Sequence, residues 1–496
     1  MNNLFNFFSQ QKTWLWILGM YFFIQVFYFF FTFPLQTAPD YVYHYTQIMN
    51  FFLNSGISLP TAGGDFYPYY HPVYYVSGAQ NSVLYHLFFG KLLHLNILGS
   101  GSEIHEIFNT EKLLQVLNII LSGVYLVFFW KLCQIIFKSK TTQLLAFVVQ
   151  TNLLMFSFLA ATINYDNLAN ICAVAATYFL FKNIRNHRAI DAVWFGIFLC
   201  IGFLTKISLL PLLLLLGAFF CWENRKFFGI QFREVVSWFK TKSKKLWIVV
   251  LLCIGIGANI FMWGGNVFRY NTPVPGCDMI FSHEICAKFN PIYKKGLAIQ
   301  EFQSEKLKKE MTVLSPFKFI ATWADYYTHK IFGIFSWLSF YPPTWILRVF
   351  QFLFLAGIVL GCLRFQRKNK LLKYAFFIAL AYTLFLAFYA NYKTYFQYEH
   401  IPWYSFMGWQ GRYLFPVIAL WIFWIAGGWM SVFPKKWKTS VAILIGLFFI
   451  ASSFPVYFFT PKLERIIHLQ KLEKQHTKKL EEKYGIEVER AEALGN

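Results

Sequence analysis

A carboxylate and an imidazole stand four residues apart in Pro39-Asp40-Tyr41-Val42-Tyr43-His44, just after the first long apolar run of the chain ends. On a helical turn that spacing puts both groups on one face. At a membrane boundary such a pair is either a solvated helix start or a proton-handling site, in which the carboxylate takes the proton of a hydroxyl as general base. Four more ionisable residues adjoin apolar runs: Asp166 in Ile163-Asn164-Tyr165-Asp166-Asn167, Lys206 in Leu204-Thr205-Lys206, Arg269, and Arg412 in Trp409-Gln410-Gly411-Arg412-Tyr413. Ionisable groups near hydrocarbon are costly and mark candidate sites. Each has a plainer reading as well. Asp166 could cap a helix N-terminus, Lys206 could snorkel from a helix end, and Arg412 could anchor to lipid headgroups. For Arg412 the balance lies with function, because a guanidinium matches phosphate in shape and charge and the adjacent Gly411 admits a close ligand.

The elements that must position these residues are membrane helices. Of 496 residues, 57% are hydrophobic and 14% charged, too few charges to cover a soluble surface of this size. Apolar runs of the length needed to cross ~30 Å of hydrocarbon recur along the chain. They lie near 13–34, 112–137, 141–161, 165–181, 190–204, 207–222, 246–264, 346–363, 373–390, 412–431 and 439–459. The first has no small-residue cleavage site after it and reads as an uncleaved anchor. The expectation is an all-α polytopic integral membrane protein of about eleven transmembrane helices. A net charge of +22 would suggest nucleic acid in a soluble chain, but here the charges cluster between spans. Lys138 and Lys140, then Lys182, Arg185 and Arg188, then Arg225 to Lys245, Arg364 to Lys373, and Lys435 to Lys438 fall in alternate connections. The positive-inside rule then puts the N-terminus in the cytoplasm and the C-terminus outside. It also divides residues 190–222 into two spans turning near Thr205-Lys206, since both flanks are basic. With that orientation Asp40, His44, Asp166, Lys206, Arg269 and Arg412 share the outer interface.

The expected organisation is a transmembrane domain over 1–460 with external loops at 35–111 and 265–345, and a polar tail, 461–496, at helical spacing. The first loop is expected to hold a surface helix from Asp40 to Asn54 and an interfacial stretch from Asn81 to Leu98. The second should hold a charged helix from Ile299 to Lys309 and a return to the bilayer over 326–341. Cys277 and Cys286 lie nine positions apart in that second loop, where a disulfide suits an oxidising exterior; the other reading is two free thiols. The remaining cysteines fall within spans and read as apolar packing residues. The loops carry acids and histidines (Glu103, His105, His283 and Glu284 among them) without a ligand pair on one helix face, so no metal or other cofactor is assigned and a divalent ion is left open.

These motifs, taken in order, resemble the GT-C superfamily of multi-span glycosyltransferases, and within it a family of bacterial membrane proteins of unassigned function. That family shows a first-loop Pro-Asp-Glu-x-x-His, an Asn-x-Asp-x-Leu-Ala-Asn, a Lys before a span, and a Gln-Gly-Arg-Tyr-x-x-Pro. Here they read Pro39 to His44, Asn164 to Asn170, Leu204-Thr205-Lys206, and Gln410 to Pro416; the stretch Asn266 to Cys286 also resembles the family's external segment. The Glu of the first motif is Tyr41 in this chain. The resemblance implies transfer of a sugar from a polyprenyl-phosphate donor to a glycan, lipid or protein acceptor at the outer face of the cytoplasmic membrane. Configuration would be inverted and Asp40 would be the base. Arg412 and Lys206 would meet the departing phosphate, with His44, Asp166 and Arg269 at the donor. An inverting displacement needs one carboxylate base, which agrees with Asp40 lacking an acidic neighbour. Membrane lipids are expected partners and nucleic acid is not. The alternatives are a transporter or flippase, which would place polar groups at mid-bilayer on broken helices, and a non-catalytic membrane scaffold.

Overall fold

The computed structural model describes residues 11–33, 44, 45, 47–49, 51, 84–94, 104–280, 282–284, 286, 315–334, 340–364, 369–392 and 410–460. Asp40, the helix expected over 299–309 and the tail from 461 lie outside the described residues. The described chain is helical, with one isolated antiparallel bridge between Ile334 and Phe340. In order the helices are α1 Gln11–Thr32, α2 Leu84–His94, α3 Ile104–Ile136, α4 Lys140–Thr151, α5 Leu154–Ala160, α6 Asp166–Asn186, α7 Ala189–Thr205 and α8 Leu210–Asn224. They continue with α9 Phe228–Lys240, α10 Leu246–Tyr270, α11 Pro316–Phe332, α12 Thr344–Leu363, α13 Lys370–Leu384, α14 Phe415–Val432, α15 Lys435–Ser452 and α16 Phe454–Phe459.

Among the described residues eight helical segments are long and apolar enough to cross a membrane, nine if the bent pair α4–α5 is one span. The expected eleven are recovered when α6 and α7 are added. α6 falls short because Asp166, Asn167, Asn170 and Asn183 lower its hydropathy, and it tolerates them by being buried in protein rather than facing lipid. α7, at 17 residues, is merely short. The run at 141–161 is not straight: α4 and α5 meet at 65°. Asn152 sits at that break, and its side-chain N–H donates back to the Val148 carbonyl at 2.8 Å. In the stretch near Asn81 to Leu98 the described residues form the eleven-residue α2, about 17 Å of helix and by itself too short to span. Where the sequence suggested a simple return of the chain near 326–341, α11 instead forms a 17-residue helix capped by Ser315, whose oxygen accepts from the Lys318 N–H.

α14 is the centre of the bundle. Of its apolar window 83% is buried, against 17% for α10, whose Ile254, Phe261 and neighbours are left for lipid. α12 crosses α14 at backbone distance. A Cβ on Gly428 would collide with the Gly357 carbonyl, and one on Gly361 would stand 2.5 Å from the Trp424 indole nitrogen. Small residues at such a crossing let two membrane helices gain packing that bulky side chains would prevent. The crossing is fixed by Trp429, whose indole N–H donates to the Leu353 carbonyl at 3.0 Å.

Antiparallel succession gives the bundle two polar ends. α6 starts at Asp166 and finishes beside the start of α7, where Lys182 and Asp191 pair at 2.9 Å. α7 returns to Lys206; α8 departs again and ends at Glu223, which accepts from Lys370 and Tyr374 at the start of α13. α10 begins among Ile248, Trp238 and Ala189 and ends with Trp263 stacked on Phe203, centroids 4.9 Å apart. Asp166, Lys206 and the start of α14 therefore share one end.

Candidate active site

At that end three of the expected residues meet. Lys206 donates to one carboxylate oxygen of Asp166, and the Arg412 Nε lies 3.5 Å from the other. All three are buried: Asp166 is 3% exposed, Lys206 7% and Arg412 2%. The chain arranges this locally in three ways. Asp166 is the first residue of α6 and does not cap it; Asn164 accepts from the Asp166 N–H at 2.8 Å, leaving the carboxylate for the cations. Lys206 is extended (φ −156, ψ 114) between the end of α7 and a short 3-10 turn, Ile207–Leu209, with Pro211 in the first turn of α8. Arg412 sits on the 3-10 turn Gly411–Leu414 that opens α14. That turn packs against α11 so tightly that a Cβ on Gly411 would be 2.7 Å from the Lys330 carbonyl carbon. Gly411 therefore serves close approach of two backbones.

The segment after α1 reaches the same place through His44. Its Nδ1 is 3.0 Å from Nε2 of His86 on α2, and the two rings stack. The His44 ring also lies 4.5 Å from the ring of Tyr165. On Tyr165 the Lys206 ammonium sits 4.6 Å from the centroid, and it is 4.9 Å from that of Tyr413. A cation held over two aromatic faces gains attraction beyond its ion pair. Burial, with His44 beside it, pushes the His86 pKa well below the usual histidine range. Behind this layer Asn118 of α3 accepts from Asn167 at 2.9 Å and bonds the Tyr85 hydroxyl, tying α2, α3 and α6 together.

Tyr165, His86 and Lys330 were not singled out by the sequence. Tyr165 lies inside the motif that marks Asp166, so its position held a signal. His86 lies in the stretch expected to be interfacial. Lys330, 3% exposed in Tyr326-Tyr327-Thr328-His329-Lys330, is a lysine in an aromatic run whose burial depends on the turn at Gly411. Burial first, and Arg412 second, push its pKa down to about 7. Arg269 does not join the cluster; it is exposed in the last turn of α10 and makes no ion pair among the described residues. Cys286 is buried, and the side chain of Cys277 lies outside the described residues. Among the described residues no group of three or more His, Cys, Asp or Glu could hold a metal.

Two cations around one carboxylate leave the site with net positive charge, and Lys330 adds to it when protonated. On the other side of the Arg412 turn, reached through Leu414, lies a largely apolar cavity of about 440 Å³ between α11, α12 and α14, lined by Trp323, Tyr327, Ile331, Ile358 and Trp421, with the Asp325–Arg348 pair also in its wall. The combination suits an amphiphilic anion. Residues 104–263, about a third of the chain, match the family model described as dolichyl-phosphate-mannose-protein mannosyltransferase. This match supports a membrane glycosyltransferase of the GT-C type. The GT-C match runs from α3 into α10 and includes both Asp166 and Lys206; His44 and Arg412 lie outside it. No curated protein and no solved structure matches the chain significantly.

Proposed function

We propose that the chain transfers a sugar from a polyprenyl-phosphate donor to an acceptor at the outer face of the cytoplasmic membrane, with inversion and with Asp40 as general base. The observation that carries the reading is the convergence of Lys206 and Arg412 on Asp166, with a largely apolar cavity on the other side of the Arg412 turn. The matched family's description names a lipid-phosphate sugar and a protein acceptor, which agrees with such a donor. In this reading the two cations take the charge that develops on the departing lipid phosphate, and the apolar cavity takes the first units of the prenyl chain. Preorganised charge of this kind accounts for a large part of the acceleration in water-poor sites. Asp166 is a positioning residue: committed to both cations, it fixes where they stand. Asp40 lies four peptide links from His44, a reach of about 14 Å at full extension, so the base can attend the anomeric carbon while His44 stays docked on Tyr165. The Cys277–Cys286 disulfide belongs to the same reading, since it needs an oxidising exterior.

The bend between α4 and α5 is a feature that transporters share. Against that reading, the ionisable cluster lies at a helix end and not at mid-span.

Purified protein supplied with short-chain polyprenyl-phosphate sugars tests the assignment. Arg412→Ala should lower turnover by roughly 10² to 10³, and Asp40→Asn by roughly 10² to 10⁴. Cells carrying either variant should lose the glycan modification at normal protein abundance. Full modification by both variants would sink the enzyme assignment.

A further inference from the structure

The other end of the bundle holds a second, larger cavity, of about 1190 Å³. Lys138, Arg185, Arg364, Lys370 and Lys438 line it, and no acidic residue does. These cations come from the α3–α4 link and from the ends of α6, α12, α13 and α15. Lys370 is already matched by Glu223. The other four make no ion pair among the described residues, although carboxylates at this end are used elsewhere: Asp191 on Lys182, and Glu234 on the Ala189 N–H. Arg185 lies 19 positions along α6 from Asp166, about 28 Å by helical rise, so this cavity is distinct from the candidate active site.

The plain account of these residues is topological: loops on one side collect Lys and Arg. Arg185 and Arg364 also complement the negative ends of α6 and α12. Neither explains why four such side chains from four segments surround one concavity with no counter-charge. Like charges so placed repel, and an anion between them reverses the sign of that energy. The walls also hold apolar residues, Phe137 and Met430 among them, which suit a molecule with a hydrocarbon part. We infer that this cavity is a second anion site that binds a phosphate group, from a membrane phospholipid headgroup or from a soluble phosphoester. The inference does not rest on the proposed reaction.

Full-length protein in detergent, titrated separately with phosphatidylglycerol, phosphatidylcholine and inorganic phosphate, tests it through ligand-dependent thermal stability and native mass spectrometry. Three proteins are compared with the parent. One carries Lys138→Gln, Arg364→Gln and Lys438→Gln. A second keeps the charges, as Lys138→Arg, Arg364→Lys and Lys438→Arg. A third changes Lys240, Lys242 and Lys244 to Gln, all exposed and outside the cavity. Phosphatidylglycerol should bind the parent, the charge-keeping and the third protein alike, and the Gln triple at least about ten-fold more weakly, with phosphatidylcholine inert. That result assigns the headgroup. Binding of inorganic phosphate with the same dependence on the three residues assigns a soluble phosphoester. Equal binding by the Gln triple and the parent overturns the proposal. So does an equal loss in the third protein, which would mean diffuse attraction, or in the charge-keeping protein, which would mean altered packing.

Discussion

Asp166 decides between two roles that a sequence leaves open, cap or ion-pair centre. Asn caps a helix about as well as Asp but carries no charge. Asp166→Asn should therefore be nearly silent if capping is the role. In the structure the carboxylate faces two buried cations, so the substitution strands both, at a cost of about 3–5 kcal/mol. A large fall in melting temperature in detergent is expected; a shift equivalent to under about 1 kcal/mol would return Asp166 to the capping role. Lys330 gives a pH signature. Its folded pKa, near 7, is below the 10.5 of an ordinary lysine, so between these values the unfolded chain binds more protons. Stability contributed through Lys330 is therefore lowest below pH 7 and recovers as pH rises towards 10.5. Compared with Lys330→Met, the parent should be least stable, relative to the variant, near pH 6, and the gap should narrow by pH 9 on its way to closing near 10.5. A gap constant over that range would mean that Lys330 does not titrate there. The motifs exposed Asp166, Lys206 and Arg412 as ionisable groups at span ends, because polarity in an apolar context is visible locally. That Lys206 and Arg412 share the Asp166 carboxylate was not visible, because it depends on the start of α14, more than 200 residues further along the chain, meeting Asp166 and Lys206 at one level. Lys330 and His86 were missed for the same reason: their burial is produced by the turn at Gly411 and by the first-loop segment, not by their own neighbours.

Among the elements, the positions of the spans followed from length and hydropathy, and the division at Thr205-Lys206 followed from the charges on either side. Two departures have physical causes. The helix break at Asn152 carries no proline, and its signal is only a polar residue in an apolar run. α11 is mostly apolar and aromatic with Lys318, Asp325 and Lys330 spread along it, so nothing in its composition separates a surface helix from one packed on the site. The α12–α14 crossing was legible in principle as Gly357 and Gly361 four apart, facing Gly428. Its prediction is steric. Gly428→Val must push against the Gly357 backbone, which overpacking data put at about 1–3 kcal/mol. Gly217→Val, where a Cβ meets nothing within 4 Å, controls for the intrinsic cost of a β-branched residue in a helix. Equal loss of thermal stability in the two variants would mean that the close crossing is not what holds α14.

For the whole molecule, the governing property is the difference between its two ends. α6 alone, at 21 residues, spans about 31 Å, the thickness of the hydrocarbon layer, and joins the Asp166 cluster to the Lys182–Asp191 pair. One end concentrates buried, mutually paired ionisable groups near a largely apolar cavity; the other carries an excess of exposed cations. By the positive-inside rule the excess predicts an orientation, and that orientation would put the paired cluster outside, where the proposed lipid-phosphate donor would be met. This chain of inference can be broken at its middle link. In a cysteine-depleted background, Lys436→Cys at the start of α15 and Met279→Cys beyond the end of α10 are both at exposed positions. A membrane-impermeant maleimide added to intact cells should modify the cysteine at 279 and reach the one at 436 only after the membrane is opened. The reverse pattern would put Asp166, Lys206 and Arg412 on the cytoplasmic side. Both the external base and the disulfide would then lose their physical basis, whatever the kinetics of the Arg412 variant.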